Sequence, residues 1–322
     1  MDKKNLVQQC NLTKEEKEKL QSQWNVVYET PDWVPTEKVS TLVIRIDWGL
    51  GRVIAMTGAI TEVAKARPVK VVTSRPLAFW WNPYIQSVHG LDDRRLFLDV
   101  IKGNDYFELE PYTDPEFFND WKNWLELAVK QLSKFHKFKD IPQPVLFLAE
   151  HEKLQNRLQW EKPILFQAFG STMNAEGADK SYRSIKVTDA QYIVNELNKR
   201  WFTVYIPERD DQPKIQGSRQ LTAQNMRWLV TLADRYPVVW CDSSLQHAAK
   251  AFNKKSVITW SWTDAWRFGY PSHVNMRNDK PYTYVPFRLW VDFDLDIINQ
   301  HCNEYTKEYL DKFISEVEKL YS

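Results

Sequence analysis

The sequence predicts an α/β protein built from two doubly wound parallel-sheet domains that face a central cleft. Runs of β-branched residues alternate with amphipathic helical segments, which is the pattern of strand–helix–strand units. The alternation begins near residue 41, stops at Pro142 and Pro144, and then begins again. The chain has 322 residues, more than one hydrophobic core usually serves, so a division into two domains is expected.

The first alternation opens with the apolar run TLVIRID, which predicts a strand buried on both faces. The segments that follow it predict a helix at 53–66, a strand at 69–74, a third strand at 84–90 and one long amphipathic helix at 114–138. These elements form the predicted first domain, residues 39–145, which is preceded by an N-terminal extension, residues 1–38.

The second alternation forms the predicted second domain, residues 146–299. Its strands are predicted at 162–169, 201–207, 237–241 and 255–260, and its helices at 187–200, 222–235 and 245–252. Apolar residues at 3–4 spacing predict a terminal helix within 300–322, and we expect it to pack back across the cleft. Open parallel sheets bind ligands at the carboxyl ends of their strands, so the cleft is the expected site.

Charge and cysteine content narrow the function class. A net charge of +1 argues against a strongly basic nucleic-acid binder. The three cysteines, Cys10, Cys241 and Cys302, are far apart, which indicates a reducing compartment and no zinc site. The sequence shows neither a secretory signal pattern nor an apolar run of membrane-spanning length, so we expect a cytoplasmic protein with no transmembrane segment.

The turn DWGLGRV follows the first predicted strand and carries chemistry-bearing residues. Asp47 precedes the turn, Gly49 and Gly51 shape it, and Arg52 follows. The turn has two of the three glycines of a dinucleotide fingerprint, so it is a poor nicotinamide site. A glycine turn also allows a ligand to approach the backbone closely, so Gly49 and Gly51 are candidate ligand-binding residues.

The stretch CDSSLQH follows a buried strand and opens a helix. The first amides of that helix could hold a diphosphate, with hydroxyl donors from Ser243 and Ser244. Asp242 could accept a hydrogen bond from a sugar hydroxyl, and His247 lies one turn further. The alternative is that Asp242 or Ser243 only caps the helix and that His247 is an ordinary surface group.

Two further strand ends carry residues that could bind a phosphate or a nucleoside. Gly170, Ser171 and Thr172 offer amides and hydroxyls to a phosphate, and Lys180 offers a cation. Glu208 follows another strand and could bind a nucleoside. The alternative for both is a solvated surface loop.

No metal site is predicted. The run VDFDLD would place Asp292, Asp294 and Asp296 on one face of a strand, where three carboxylates could hold Mg²⁺. A solvated edge strand explains the same pattern better, so we expect no metal and no resident cofactor.

Four stretches together resemble glycosyltransferase family 9, the ADP-heptose:lipopolysaccharide heptosyltransferases and their relatives. They are LVIRIDWGLGRVIAMTGAI, VKVVTSRPLAFWWNPYIQSV, FGSTMNAEGADKSYRSI, and the segment 221–269 with its DSSLQHAA turn and TDAWR loop. The resemblance covers about residues 40–270 with order and spacing kept. It implies a GT-B fold, with the acceptor in the first domain and a nucleotide-diphosphate sugar in the second, and an inverting, metal-independent transfer. It also implies donor contacts by Ser171, Thr172, Lys180, Glu208, Asp242, Ser243, Ser244 and His247.

The chain departs from the family pattern at the catalytic corner. The family has an aspartate, its expected base, where this chain has Arg52, and usually a glycine where it has Ser244. An inverting transfer needs a base for the acceptor hydroxyl, so we assign that role to Asp47, with Arg52 orienting it or binding an anionic acceptor. The alternative is a simple Asp47–Arg52 surface ion pair, with the base elsewhere.

The acceptor stays open between two classes. One is a surface glycan or lipopolysaccharide core. The other is a hydroxymethylated pyrimidine in DNA, modified by a virus-encoded enzyme, whose flipped base would stack on Phe79, Trp80 or Trp81. A third reading is a non-catalytic sugar-nucleotide-binding relative that lost its base at Arg52. The sequence does not determine the donor sugar or the oligomeric state.

Overall fold

The computed structural model describes residues 40–322 except 48, 120–121, 156–157, 159–160, 171–183, 209–211, 223–225, 262, 264 and 279–303. The predicted N-terminal extension therefore lies outside the described residues. The strands are β1 (Leu42–Arg45), β2 (Val69–Val72), β3 (Ser87–His89), β4 (Asp105–Glu108), β5 (Pro163–Gln167), β6 (Thr203–Pro207), β7 (Arg219–Leu221), β8 (Val238–Cys241), β9 (Val257–Trp260) and β10 (Val274–Arg277).

The α-helices alternate with these strands. They are α1 (Leu50–Ala66), α2 (Pro115–Asn119), α3 (Trp124–Leu132), α4 (Glu150–Gln155), α5 (Val187–Lys199), α6 (Met226–Leu232), α7 (Ser244–Ala251), α8 (Ala265–Phe268) and α9 (Lys307–Glu318). None of the helices in the described part of the chain is long and apolar enough to cross a membrane.

The strands form two separate sheets in which every described pairing is parallel. Sheet A has the order β3-β2-β1-β4, and sheet B has the order β10-β9-β8-β5-β6-β7. The two-sheet α/β architecture predicted from the strand–helix alternation is therefore confirmed. The central strands β1, β5, β8 and β9 are almost entirely buried, as expected for strands covered on both faces.

Helix α1 is buried along most of its length, because it packs against both sheet units. Its residues join a hydrophobic core that includes Leu42 and Ile44 of β1 together with Leu245 and Ala248 of α7. A second core lies on the other side of sheet B. The two sheet units thus share apolar surface, and α1 lies between them.

The stretch after α3 that contains Pro142 and Pro144 is tied to the middle of α1. The backbone N–H of Val145 donates to Thr57 Oγ1 at 2.9 Å. A side-chain carbon placed at Gly58 would lie 1.8 Å from the carbonyl oxygen of Gln143. The connection therefore crosses α1 at a point where only glycine leaves room for it.

A buried ion pair fixes the linker helix α4 between the two units. Arg227 of α6 binds Glu152 of α4 through two hydrogen bonds of 2.8 and 2.9 Å. The same guanidinium donates to the carbonyl oxygens of Leu77 and Phe147. Removing one partner of a buried pair leaves an uncompensated charge, so this contact holds three segments in a fixed arrangement.

The terminal helix α9 packs on the unit of sheet B. Leu310, Phe313 and Val317 belong to the second core, and Tyr192 of α5 donates to Asp311 at 2.5 Å. Arg200 pairs with Glu318 at 3.3 Å. These contacts correct the expectation of a helix that packs back across the cleft, because its apolar face is already covered by α5 and sheet B.

The long helix predicted at 114–138 is two helices instead. Asn123 caps the second of them by accepting from the backbone N–H of Leu125 at 2.9 Å. A local cap thus outweighs the continuous apolar pattern. The short strands β4, β7 and β10 and helix α4 were not predicted. Strands β4 and β7 carry exposed polar residues and do not show the pattern of a buried strand.

We expect Gly58→Ala to destabilise the protein, although alanine is the better helix former by about 1 kcal/mol. The added methyl group would overlap the Gln143 carbonyl, and overpacking of this kind typically costs about 1–3 kcal/mol. Urea denaturation should show a lower free energy of unfolding. Gly49→Ala is the matched control, since no atom lies within 4 Å of its added carbon. Equal stability of the two variants would contradict the close crossing.

Candidate functional site

The carboxyl ends of the two sheets meet where α1 begins against α7. A side-chain carbon at Gly51 would lie 2.9 Å from His247 Cδ2 and 3.2 Å from the Cα of Ser244. Helix α1 follows β1 directly, and α7 follows β8, so this contact brings together the strand ends at which open parallel sheets bind ligands.

The two glycines of the DWGLGRV turn have different surroundings. Gly51 has α7 against it, so its missing side chain makes room for a helix rather than for a ligand. Gly49 faces open space and has an ordinary backbone conformation, with φ −53°. An acceptor role therefore stays a prediction for both residues, with open space found only at Gly49.

The described structure shows no ion pair between Asp47 and Arg52, and a role for Arg52 in binding an anionic acceptor stays a prediction. Asp47 pairs with Arg45 at 3.9 Å, and about a third of its side chain is exposed. Arg52 is almost fully buried and pairs with Glu110 at 3.4 Å. Arg52 lies on the first turn of α1, and the carboxylate with which it pairs follows β4.

Arg52 and Glu110 belong to a fixed group at the end of sheet A. The guanidinium of Arg52 stacks on Tyr112, 3.4 Å from the ring centroid. The side chain of Gln131 accepts from the backbone N–H of Glu110 at 3.1 Å and donates to its carbonyl oxygen at 2.9 Å. Helix α3 thus holds the backbone of Glu110 on both sides.

His247 lies inside the contact between the two units and is buried. Its Nδ1 lies 2.7 Å from the hydroxyl of Tyr270, and its ring packs on Trp124 at 5.3 Å. Burial raises the pKa of Tyr270, so the phenol stays protonated and can donate to Nδ1. Nε2 then carries the imidazole proton and faces the carboxylate of Asp242 at 3.9 Å. The surface alternative for His247 is excluded by this burial.

Ser243 caps α7 by its position, with extended backbone and no capping hydrogen bond from its side chain. Its hydroxyl oxygen is buried and has no hydrogen-bond partner in the described structure. Asp242 accepts from the side-chain amide of Gln246, also on α7. Ser243 therefore does not cap α7 through a side-chain hydrogen bond, and the carboxylate of Asp242 binds the side chain of Gln246.

The candidate donor-binding residues lie at the carboxyl end of sheet B. Gly170, Glu208 and Asp242 follow β5, β6 and β8, which are neighbours in the sheet. The backbone N–H of Gly170 donates to Ser184 Oγ at 3.0 Å, and Thr222 donates to Glu208 at 2.5 Å. Ser171, Thr172 and Lys180 lie outside the described residues.

Trp80 and Trp81 do not lie beside the glycine turn. They are 43% and 45% exposed, and Trp81 packs edge-on against His151 of the linker helix. The next residue, Asn82, donates to Thr61 at 2.8 Å. Thr61 is ten residues beyond Gly51 on α1, which corresponds to about 15 Å along the helix. Their acceptor role stays a prediction, at a distance from Gly49.

Sequence reasoning missed the aromatic group that joins the two units. Tyr112 and Trp124 of the first unit lie 6.3 and 5.2 Å from Phe268 of the second. The amide of Asn123 donates to the carbonyl oxygen of Trp266 at 2.9 Å. Phe268 directly follows the TDAWR loop, which the sequence singles out. Its partners Trp124 and Tyr112 lie 144 and 156 residues earlier in the chain, where no sequence pattern links them to that loop.

The described residues contain no group of three or more His, Cys, Asp or Glu side chains that could hold a metal ion. Asp292, Asp294 and Asp296 lie outside those residues, so their alternative magnesium role remains a matter of sequence.

His273 supports α7 from the turn before β10. Its Nε2 lies 3.2 Å from the carbonyl oxygen of Gln246 and can donate to it, while Nδ1 is buried without a partner in the described structure. Burial lowers the pKa of His273 to about 4. The imidazole is therefore neutral at physiological pH.

Three solved structures are similar to this chain over most of its length. A glycosyl transferase family 9 protein from Veillonella parvula DSM 2008 has a TM-score of 0.61 at 11% identity, over 86% of this chain and 97% of its own. The E. coli ADP-heptose lps heptosyltransferase II has a TM-score of 0.57 at 13% identity, over 87% and 100%. E. coli heptosyltransferase WaaC with ADP has a TM-score of 0.59 at 11% identity, over 86% and 99%.

No family model matches the sequence, and no curated protein matches it. At these low identities the structural likeness establishes the fold. It confirms the GT-B fold and, at that level, the resemblance to glycosyltransferase family 9.

We expect His273 to make stability fall as the pH drops from 6.5 to about 4. The unfolded imidazole takes up a proton below about 6.5, whereas the folded one resists protonation until about 4. Its contribution, on the order of 3 kcal/mol, is complete above pH 6.5 and lost at pH 4. The free energy of unfolding of wild type minus that of His273→Gln should fall by about 3 kcal/mol as the pH drops across this range. Parallel curves would contradict the assignment.

Proposed function

We propose that this protein is a glycosyltransferase that moves a sugar from a nucleotide-diphosphate donor to an acceptor hydroxyl. The observation that carries the proposal is the meeting of the two strand ends at Gly51 and Ser244, with carboxylates on one side and a helix start on the other. The similar structures support it, since one is a family 9 glycosyl transferase and another is a heptosyltransferase with ADP.

The donor would lie at the carboxyl end of sheet B. The first amides of α7 favour an anion, and the buried hydroxyl of Ser243 lies at the same helix start. Asp242 would accept from a sugar hydroxyl and Glu208 from the nucleoside. Ser171, Thr172, Lys180 and Ser244 are proposed from the sequence to bind the diphosphate, next to Gly170.

The transfer would be an inverting displacement. Asp47 takes the proton of the acceptor hydroxyl, whose oxygen forms the new bond to the sugar carbon. The bond from that carbon to the diphosphate breaks, and the nucleotide leaves with the electron pair. Lys180 and the α7 amides would stabilise the charge on the departing diphosphate, so the proposed mechanism assigns no step to a metal.

The proposed acceptor is a surface glycan or a lipopolysaccharide core, glycosylated in the cytoplasm. The lipopolysaccharide heptosyltransferase among the similar structures supports this class. The donor can be found by measuring the thermal shift of the protein with ADP, CDP, GDP, UDP and dTDP and with their sugar derivatives. Release of nucleotide, with water or a glycan as acceptor, then tests the activity.

We expect Asp47→Asn to lose transfer while keeping the donor's thermal shift. Loss of the base should lower turnover by about 10²–10⁴-fold, because the amide cannot take a proton. Glu108→Gln is the matched control, since it removes a more exposed carboxylate that also pairs with Arg45. Unchanged turnover in Asp47→Asn would refute Asp47 as the base. A wild-type protein that binds but never turns over any nucleotide sugar would refute the function.

A further inference from the structure

A second carboxylate lies beside Asp47 at the end of sheet A. Strands β1 and β4 pair in parallel, with Arg45 opposite Glu108, and the N–H of Leu109 donates to the carbonyl oxygen of Arg45 at 2.9 Å. Asp47 and Glu110 therefore follow these strands at equivalent positions. Neighbouring strands lie about 4.8 Å apart, so the two residues are close enough to contact the same small molecule.

Glu110 is held more firmly than Asp47. Its backbone N–H and its carbonyl oxygen both form hydrogen bonds with the side-chain amide of Gln131. Its Oε1 accepts from the N–H of Tyr112 at 3.2 Å and from Arg52 at 3.4 Å. About 14% of the side chain remains exposed at the edge. The carboxylate thus has a fixed orientation and is still reachable from outside.

The partners of Glu110 lie next to the contact between the two sheet units. Tyr112, whose backbone binds Glu110, lies 6.3 Å from Phe268 of the second unit. Arg52, its other partner, is the residue after Gly51, which touches α7. A sugar held at the start of α7 would therefore meet an acceptor held at this edge.

We propose that Glu110 is an acceptor-binding residue that selects a polyhydroxyl acceptor. Asp47 takes the proton of the reacting hydroxyl, and Glu110 accepts a hydrogen bond from the hydroxyl next to it. Arg52 and Gln131 are positioning residues for Glu110. The inference rests on the proposed function for the role of Asp47, but the binding role of Glu110 can be measured without a donor.

The chemistry of this edge favours a sugar over a nucleic acid. Ionised carboxylates only accept hydrogen bonds, and sugar hydroxyls supply the donors. A phosphodiester backbone supplies none and is itself an anion. The arginines at this edge already pair with carboxylates: Arg45 with Asp47 and Glu108, and Arg52 with Glu110. DNA would find little uncompensated positive charge here.

The test uses the full-length protein and a panel of methyl glycosides of hexoses and heptoses, each with its monodeoxy counterparts. Saturation-transfer NMR measures their binding to wild type, Glu110→Gln and the control Glu108→Gln. Wild type should bind at least one glycoside and lose about tenfold in affinity when one particular hydroxyl is removed, as expected for a hydrogen bond to a charged group. Glu110→Gln should bind the parent glycoside about tenfold more weakly than wild type does. It should bind the parent and the deoxy glycoside with equal affinity, because both changes remove the same hydrogen bond.

The same variants are then assayed with the nucleotide sugar that gives the largest thermal shift. Glu110→Gln should lower the ratio of transfer to donor hydrolysis by about tenfold, and Glu108→Gln should leave that ratio as in wild type. If Glu110→Gln melts at a much lower temperature, Glu110→Asp, which keeps the charge, replaces it and should show partial loss.

Three results would overturn the inference. Removal of the hydroxyl could weaken glycoside binding by the same factor in Glu110→Gln as in wild type, which would indicate that Glu110 acts indirectly. Wild type could bind a hydroxymethylcytosine-containing duplex and none of the glycosides. Transfer and hydrolysis could fall equally in Glu110→Gln. A protein that hydrolyses no donor but shows the shared loss in glycoside binding would refute the proposed function and leave the role of Glu110 supported.

Discussion

The direct packing of α1 on α7 at Gly51 is the constraint on which the rest of the site depends. There is no space for a side chain at this position, because His247 and the backbone of Ser244 occupy it. Each helix follows a central strand of its own sheet, so their contact determines where the two strand ends lie relative to each other. The bond between Val145 and Thr57 in the middle of α1 and the Arg227–Glu152 pair support the same arrangement.

This close contact buries polar groups, and the structure supplies partners for them. Arg52 has Glu110 and the face of Tyr112, and His247 has Tyr270 and the nearby Asp242. A buried charge without a partner would destabilise the protein, which explains why Arg52 lies against a carboxylate that follows another strand. Arg52 thus finds its partner within sheet A, in Glu110, one of the two carboxylates that follow β1 and β4.

Much of the fold was predictable, because buried parallel strands and amphipathic helices have strong local patterns. β1, β5, β8 and α1 were found in this way. The site was predictable only in part, since strand ends such as Asp47 and Asp242 follow from the strands themselves. The partners of those residues were not predictable. Glu110 follows a strand of exposed residues, and the contacts of His247 with Trp124 and Gly51 join segments far apart in sequence. Pairings of this kind depend on tertiary packing and leave no local pattern.

The central claim is that the helix contact at Gly51 aligns the two halves of one site. The most direct measurement compares nucleotide release from the bound sugar donor by Gly51→Ala and Gly49→Ala, with the thermal shift by the same donor measured beside it. Gly51→Ala should release nucleotide at least about tenfold more slowly while keeping the shift, because the donor would be held by sheet B alone. Gly49→Ala should behave as wild type. Equal rates in wild type and Gly51→Ala would contradict the account.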